Sequence, residues 1–252
     1  MQFDHRPVVH IGHSKTGTTW FQKSFYPSVT SHRFIDSCIV REALLAPNGL
    51  AFEADRAREL ILAAADGVPP LLCDERLSGS NLAGGLHGMV APEVARRLKA
   101  VFPDARIVIG IRAQPEMLAA AYSQYVKDGG THGTRRFLFP DSYFFAASEY
   151  RTQAPRFDLA HFEYQRLIRV YLDLFGKENV HVLLFEQFRA GPLDCARSLA
   201  HIGAAPPSAP CRNIDCLRVR VVLVEVALDD PQIARVRLEE QVGDRAHPGD
   251  QA

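Results

Sequence analysis

The stretch "VVHIGHSKTGTTWFQKSF" (residues 8–25) joins a short apolar segment to a glycine-rich turn and the start of a helix. Residues 8–11 predict a buried strand that ends at Gly12, and the hydroxyl-rich segment from Thr18 onward predicts a helix with inward-facing aromatic residues. At such a junction the free backbone N–H groups point at one place, where the helix dipole also favours negative charge. The stretch therefore predicts an anion-binding loop.

The order of residues in this loop bears on which anion it binds. The loop of nucleotide triphosphatases reads G-x-x-x-x-G-K-[ST], with the lysine directly after the second glycine. Gly12 and Gly17 have that spacing, but Thr18 follows Gly17 and Lys15 lies two positions before it. We also find no apolar strand with a convincing terminal aspartate to hold the magnesium ion that a triphosphate needs. A purely structural turn is disfavoured, because a glycine, a lysine and two threonines occur together.

The rest of the chain alternates between strand and helix patterns, which predicts an α/β fold with a central parallel sheet and helices on both faces. Further strands are predicted at residues 71–73, 105–112 and 179–186. Helices are predicted at residues 56–65, 92–102, 115–130, 161–175 and 193–202. We expect one domain over residues 1–205, followed by a C-terminal segment (206–252) that has no assignable pattern and is partly flexible.

Composition limits the classes of partner. The chain has 252 residues, of which 47% are hydrophobic, so a substantial core is expected. Lysine plus arginine and aspartate plus glutamate number 29 each, which gives no overall reason to expect nucleic acid as a partner. Only Cys211 and Cys216 of the five cysteines are close in sequence, and one such pair does not predict a metal site. With no leader pattern and no apolar stretch long enough for an integral membrane segment, a cytoplasmic protein is expected.

The segment "KTGTTW" (residues 15–20) resembles the 5′-phosphosulfate loop of sulfotransferases that use 3′-phosphoadenosine-5′-phosphosulfate (PAPS). Segments such as "LLCDERLSG" (71–79) and "YVKDGGT" (125–131) resemble the bacterial branch of that family, in the family's order. The resemblance covers residues 7–205, and the last 40 or so residues do not match. It implies the P-loop-like sulfotransferase fold, with PAPS as co-substrate and no metal. The residues that it assigns to PAPS in this loop are Ser14, Lys15, Thr16, Gly17, Thr18, Thr19 and Trp20.

The same resemblance implies a site for the 3′-phosphate of PAPS. Family members bind this group with an arginine at the end of a central strand and a serine eight residues later. Arg112 has the arginine position, although an ordinary strand-end arginine is the alternative, and the serine position holds Ala120. Ser123 lies three residues on, about 60° around the helix, and is our expected replacement.

The catalytic roles that follow from the resemblance are in-line sulfuryl transfer to a hydroxyl or amine. Lys15 would neutralise charge on the leaving phosphate oxygen, and Glu75 would take the proton of the acceptor. An ion pair with Arg76 or another basic residue is the alternative for Glu75, and His87 is the second candidate base. Trp20 would pack near the adenine, with core packing as an equal alternative.

Two other functions remain open from the sequence. One is an ATP-dependent kinase of small molecules with an atypical loop. The other is a PAPS-binding homologue without activity, because the serine is missing and the C-terminal segment is atypical. Within the leading hypothesis, a small molecule or glycan is the expected acceptor, with a carbohydrate or glycolipid first.

Overall fold

A computed structural model describes residues 6–79, 90–138, 159–199, 226–227 and 235–236. Five parallel strands form its central sheet in the order β2-β3-β1-β4-β5. They are β1 (Val8–His10), β2 (Arg33–Phe34), β3 (Pro70–Cys73), β4 (Arg106–Ile111) and β5 (Val180–Leu184). The strands β1 and β3 are buried throughout, as expected for a parallel sheet covered on both faces.

The helices connect these strands and cover the sheet. They are α1 (Thr18–Trp20), α2 (Ser37–Leu44), α3 (Ala54–Ala65), α4 (Ala91–Val101), α5 (Gln114–Lys127), α6 (Thr134–Leu138), α7 (Tyr164–Phe175), α8 (Phe185–Ala190) and α9 (Pro192–Arg197). The segment after α1 continues as a π-helix (Phe21–Phe25) and a 3₁₀-helix (Tyr26–Ser28). Among the described residues, no helix is long and apolar enough to cross a membrane.

Two separate hydrophobic clusters show that the sheet lies between two helical layers. Successive side chains of a strand point to opposite faces, and β1 follows this rule: Val9 joins one cluster and Val8 the other. The first cluster contains buried residues of α2, α3, α4 and α7. The second contains Phe21, Phe25 and Cys195, from the π-helix and α9. The predicted three-layer α/β/α fold is confirmed.

The element bounds differ from the sequence predictions in a few places. Four strands lie at the predicted positions, but β2 was not predicted. The predicted strand at residues 179–186 is wrong at its end, because β5 stops at Leu184 and Phe185 begins α8. The predicted helix at residues 193–202 begins one residue earlier, and its described part ends at Arg197.

The C-terminal segment carries one described element. Val226–Ala227 (β6) and Arg235–Val236 (β7) pair in an antiparallel ladder, within a unit distinct from the one that contains the five-stranded sheet. The sequence pattern gave no indication of this pair. The predicted domain boundary at residue 205 lies outside the described residues and stays a prediction.

Candidate active site

The predicted site residues lie at the carboxyl ends of three neighbouring strands. The glycine-rich loop (residues 12–17) follows β1, Glu75 follows β3, and Arg112 follows β4. The strand β1 pairs with β3 on one side and β4 on the other, while β4 also pairs with β5. The chain that leaves β1 therefore continues toward the edge of the sheet formed by β2, and the chain that leaves β4 continues toward the edge formed by β5. In open α/β sheets, ligands bind in the crevice that such a reversal creates.

The glycine-rich loop has the backbone of an anion site. Lys15 and Gly17 both have positive φ, 68° and 87°. The Thr16 hydroxyl donates to the carbonyl oxygen of His13 across 2.6 Å, which holds the turn closed. Among the described residues, no acceptor receives the backbone N–H groups of residues 14–17. A run of free N–H groups in such a turn forms a concavity that binds anions.

Close packing around the loop leaves no room for larger residues at two glycines. A Cβ atom on Gly12 would lie 2.7 Å from Cγ2 of Thr18, and one on Gly110 would lie 2.6 Å from Oγ1 of Thr16. Gly110 belongs to β4, so the loop rests directly on the neighbouring strand. The backbone N–H of His13 also donates to the Gly110 carbonyl, across 3.1 Å. The position of the loop is therefore set by β4 as well as by β1.

The Lys15 side chain extends from the loop to α5. Its ammonium group donates a hydrogen bond to Oε1 of Gln124. Gln124 is half-buried, whereas Ser123, the predicted replacement for the serine missing at Ala120, is exposed. Sequence reasoning did not identify Gln124, although it lies four residues after Ala120 and therefore on the same face of the helix.

Contacts with neighbouring groups hold Arg112 in place, and some of its guanidinium N–H groups remain available as hydrogen-bond donors. Its Nη2 atom forms an ion pair with Glu116 at 3.1 Å, and its Nη1 atom donates to the Lys15 carbonyl oxygen across 3.4 Å. Its guanidinium carbon lies 4.5 Å from the ring centroid of Phe185. The buried Nε atom has no hydrogen-bond partner in the part of the chain that the structure describes. A planar, oriented guanidinium with unused N–H groups suits bidentate binding of a phosphate.

The two carboxylates after β3 have different environments. Asp74 is fully buried; it forms an ion pair with Arg41 at 2.6 Å and accepts from the Arg76 backbone N–H at 2.9 Å. Burial raises the pKa of Asp74 above its usual range. Glu75 is half-buried, and its nearest described partner is Gln22, at 3.4 Å. Asp74 thus fixes the turn that presents Glu75, and no ion pair with Arg76 is formed.

Two histidines flank the loop, and both are buried and neutral. Burial lowers the pKa of His10 to about 3, and burial together with nearby His161 lowers the pKa of His13 to about 3. The Nδ1 atom of His10 lies 2.7 Å from the Tyr26 hydroxyl, and Nδ1 of His13 lies 3.1 Å from the Gly110 carbonyl oxygen. An imidazole with so low a pKa is a weak base, so neither is well suited to be the general base near neutral pH. His87, the second candidate base, lies outside the described residues.

Trp20 packs among aromatic side chains on the loop side of the second hydrophobic cluster. Its ring stacks on Phe25 at 5.9 Å between centroids and meets Phe188 edge-on at 5.3 Å. The side chain is only half-buried, so part of the indole remains open to a ligand. Both interpretations given to Trp20 by the sequence are compatible with this position.

Comparison with known proteins shows which solved structures have a similar architecture. The sequence matches no family model and no curated protein. Among solved structures, it is similar to a sulfotransferase from Alicyclobacillus acidocaldarius, with a TM-score of 0.56 and 20% identity over 83% of this chain and 86% of the other. It also matches the sulfotransferase domain from the curacin biosynthetic pathway, with a TM-score of 0.43 and 12% identity over 81% and 75%. The chain has the sulfotransferase fold.

Within this sulfotransferase fold, most of the predicted site residues come together at one crevice. The loop, Lys15 and Arg112 are joined by direct contacts, and Gln22, two residues after Trp20, reaches Glu75. Ser123 makes no described contact with them, whereas Gln124, the next residue on α5, accepts from the Lys15 ammonium. Within the described ranges, no group of three or more histidine, cysteine, aspartate or glutamate side chains is arranged to hold a metal ion.

Proposed function

We propose that this protein is a sulfotransferase that moves a sulfuryl group from PAPS to a hydroxyl or amine acceptor. The observation that carries the proposal is the junction of the glycine-rich loop with β4. There, the Arg112 guanidinium donates to the backbone of the loop that carries Lys15 and the free N–H groups. A nucleotide with phosphates at both its 5′ and 3′ positions needs two such cationic sites, a short distance apart.

The residues present fit PAPS as the donor. The concave loop would bind the 5′-phosphosulfate through N–H groups of residues 14–17 and the hydroxyl of exposed Thr19. Arg112 would bind the 3′-phosphate through its unused N–H groups. The half-exposed indole of Trp20 would pack against the adenine. PAPS supplies the activated sulfuryl group, and the protein supplies position and charge.

The main contribution that this chain would make to the reaction is electrostatic. In-line displacement leaves negative charge on the phosphate oxygen that departs from sulfur, and an oriented cation stabilises that charge. Lys15 is the cation of the loop itself. Its ammonium is held by a neutral amide, and no described carboxylate forms an ion pair with it, so its positive charge is kept.

Glu75 is the proposed general base. It lies at the end of β3, next to the loop, and within the described ranges one side-chain amide, that of Gln22, contacts its carboxylate. It is therefore free to take a proton, as general acid–base catalysis requires. We propose a carbohydrate or glycolipid as the acceptor, on two grounds taken from the family resemblance: the likeness to the bacterial branch, and a glutamate at a position where relatives that act on sugars or on tyrosine have one.

A thermal-shift comparison tests the donor site. The desulfated product, 3′-phosphoadenosine-5′-phosphate, should stabilise the protein by about 2.7 kcal/mol at roughly 100 times its dissociation constant. Adenosine 5′-phosphate, which lacks the 3′-phosphate, is the matched control and should bind far more weakly. Stabilisation by ATP with magnesium alone would favour the kinase hypothesis and reject ours.

Transfer of radiolabel from PAPS then tests the reaction. We expect labelled product with at least one member of a panel of glycans, glycolipids, phenols and amines. Binding of the desulfated nucleotide with no transfer to any of them would support the inactive homologue instead.

A further inference from the structure

Gln124 connects the cation of the loop to a second charged group, at the residue that follows α5. Its Oε1 atom accepts from the Lys15 ammonium, and its Nε2 atom donates to Oδ1 of Asp128 across 2.7 Å. The two partners are on opposite ends of the same amide. The result is a short chain of side chains, Lys15–Gln124–Asp128, whose last two members lie about one turn apart at the C-terminal end of α5.

The polarity of the two partners fixes the orientation of the amide. An ammonium group only donates hydrogen bonds, and an ionised carboxylate only accepts them. A flipped amide would face the ammonium with its NH₂ group and the carboxylate with its oxygen, which loses both bonds. Asp128 therefore selects the orientation in which the Gln124 oxygen faces Lys15.

Lys15 is restrained at both ends by residues outside its own loop. Its backbone has a left-handed conformation, which is uncommon for a side chain of this size, and its carbonyl oxygen accepts from Arg112. Its ammonium is restrained by Gln124. A lysine side chain has four flexible carbons, so a fixed acceptor is needed to keep its charge in one place.

We propose that Gln124 is a positioning residue for the reaction: it orients the Lys15 ammonium over the anion-binding loop without neutralising it. The inference rests on the proposed function, and it concerns a residue four positions after Ala120, on the same face of α5. The neutral amide matters. A carboxylate at this position would form an ion pair with Lys15 and cancel the charge that has to stabilise the leaving phosphate oxygen.

Two substitutions test this role by kinetics. Gln124→Met keeps the length of the side chain but removes the acceptor, and Gln124→Glu keeps the acceptor but adds a charge. For Gln124→Met, loss of a hydrogen bond to a charged group corresponds to a fall of about 10- to 100-fold, which we expect in kcat. For Gln124→Glu we also expect kcat to fall, because the added carboxylate pairs with the Lys15 ammonium and weakens its stabilisation of the leaving phosphate oxygen. The dissociation constant of 3′-phosphoadenosine-5′-phosphate should stay within about twofold of the wild-type value, because loop N–H groups and Arg112 provide most of the binding.

Gln165→Met on α7 is the matched control, a half-buried helical glutamine with no described hydrogen bond, and it should leave kcat unchanged. An unchanged kcat in Gln124→Met would overturn the inference. So would an equal loss of kcat in Gln165→Met.

A measurement without catalysis separates this inference from the proposed function. The free protein is treated briefly with acetic anhydride, and acetylation of Lys15 is quantified by mass spectrometry relative to the exposed Lys23 and Lys127. Removal of the Gln124 acceptor should raise the relative labelling of Lys15 several-fold, and Gln165→Met should not. Equal labelling in wild type and Gln124→Met would overturn the contact even if the enzyme is active. Failure of the wild type to bind the nucleotide would instead overturn the proposed function.

Discussion

Arg112, at the end of β4, donates a hydrogen bond from Nη1 to the backbone carbonyl oxygen of Lys15, 3.4 Å away. The contact joins two strand ends that are 97 residues apart in sequence. It places the cation expected to bind a 3′-phosphate beside the loop expected to bind a 5′-phosphosulfate. The proposed donor site is thus one connected structure, and each half can be tested separately.

The first prediction concerns Arg112→Lys. A lysine keeps the charge but loses the planar fork that binds phosphate bidentately. Loss of such a charged hydrogen bond costs about 1.5–3 kcal/mol, so 3′-phosphoadenosine-5′-phosphate should bind about 10- to 100-fold more weakly. Isothermal titration calorimetry measures this loss directly.

Two controls accompany the Arg112 measurement. Arg166→Lys removes an arginine that also pairs with a glutamate at helical spacing, but on the exposed surface of α7, and should not change binding. Adenosine 5′-phosphate should bind wild type and Arg112→Lys with similar affinity. If its affinity falls as far as that of the 3′-phosphorylated nucleotide, Arg112 does not recognise the 3′-phosphate.

Glu75→Gln gives the second prediction. The substitution keeps the shape of the side chain and its contact with Gln22 but removes the basic oxygen. Because a general base contributes about 10²–10⁴-fold, kcat should fall by that range while nucleotide binding stays near the wild-type value. Steady-state kinetics and calorimetry on the same preparation check the two halves of this statement.

Glu59→Gln, on the exposed face of α3, is the control and should leave kcat unaltered. Full activity in Glu75→Gln would show that Glu75 is not the general base and would leave His87 as the candidate.

The central part of the fold was predictable because its signals are local and strong. The strands β1, β3 and β4 are continuous apolar runs, and the buried faces of α4 and α7 repeat at helical spacing. The strand β2 is different. It has two residues and forms only because Arg33 and Phe34 pair with β3. A tertiary contact of this kind cannot be predicted from the pattern of two residues.

The glycine-rich loop of the site was predictable from the sequence, but the side-chain contacts around it were not. The residues that bind through backbone atoms follow from their order along the chain. Side-chain contacts across elements do not, because successive residues on a helix differ by about 100°. The choice between Ser123 and Gln124 depends on how α5 is rotated against the loop, and only packing determines that rotation.

A third prediction tests the contact between the loop and β4. In Gly110→Ala, the new Cβ atom would lie 2.6 Å from Oγ1 of Thr16, so the loop has to move away from the strand. Overpacking of this kind costs about 1–3 kcal/mol, which a urea titration should detect. Affinity for 3′-phosphoadenosine-5′-phosphate should fall as well, since the concavity is displaced.

Gly49→Ala serves as the control, because a Cβ atom there meets nothing within 4 Å. It should leave both stability and affinity unchanged. Normal affinity in Gly110→Ala would show that the loop adapts without cost and that its seat on β4 is not needed for binding.

The fourth prediction concerns acid stability and the two buried histidines. Burial lowers the pKa of His10 and of His13 from 6.5 to about 3, so the unfolded chain takes up protons that the folded protein does not. Their contribution to stability is complete above pH 6.5 and is lost as the pH falls toward 3. Well below 6.5, each neutral histidine should make the free energy of unfolding fall by about 1.4 kcal/mol per pH unit.

In His10→Gln the amide still offers a hydrogen bond to Tyr26. Because one titrating group is removed, the free energy of unfolding should fall less steeply with decreasing pH, by about 1.4 kcal/mol per pH unit. Urea titrations of wild type, His10→Gln and His13→Gln at a series of acidic pH values measure the slopes. Other ionisable groups contribute equally to all three proteins, so parallel slopes would mean that these histidines are protonated in the folded state.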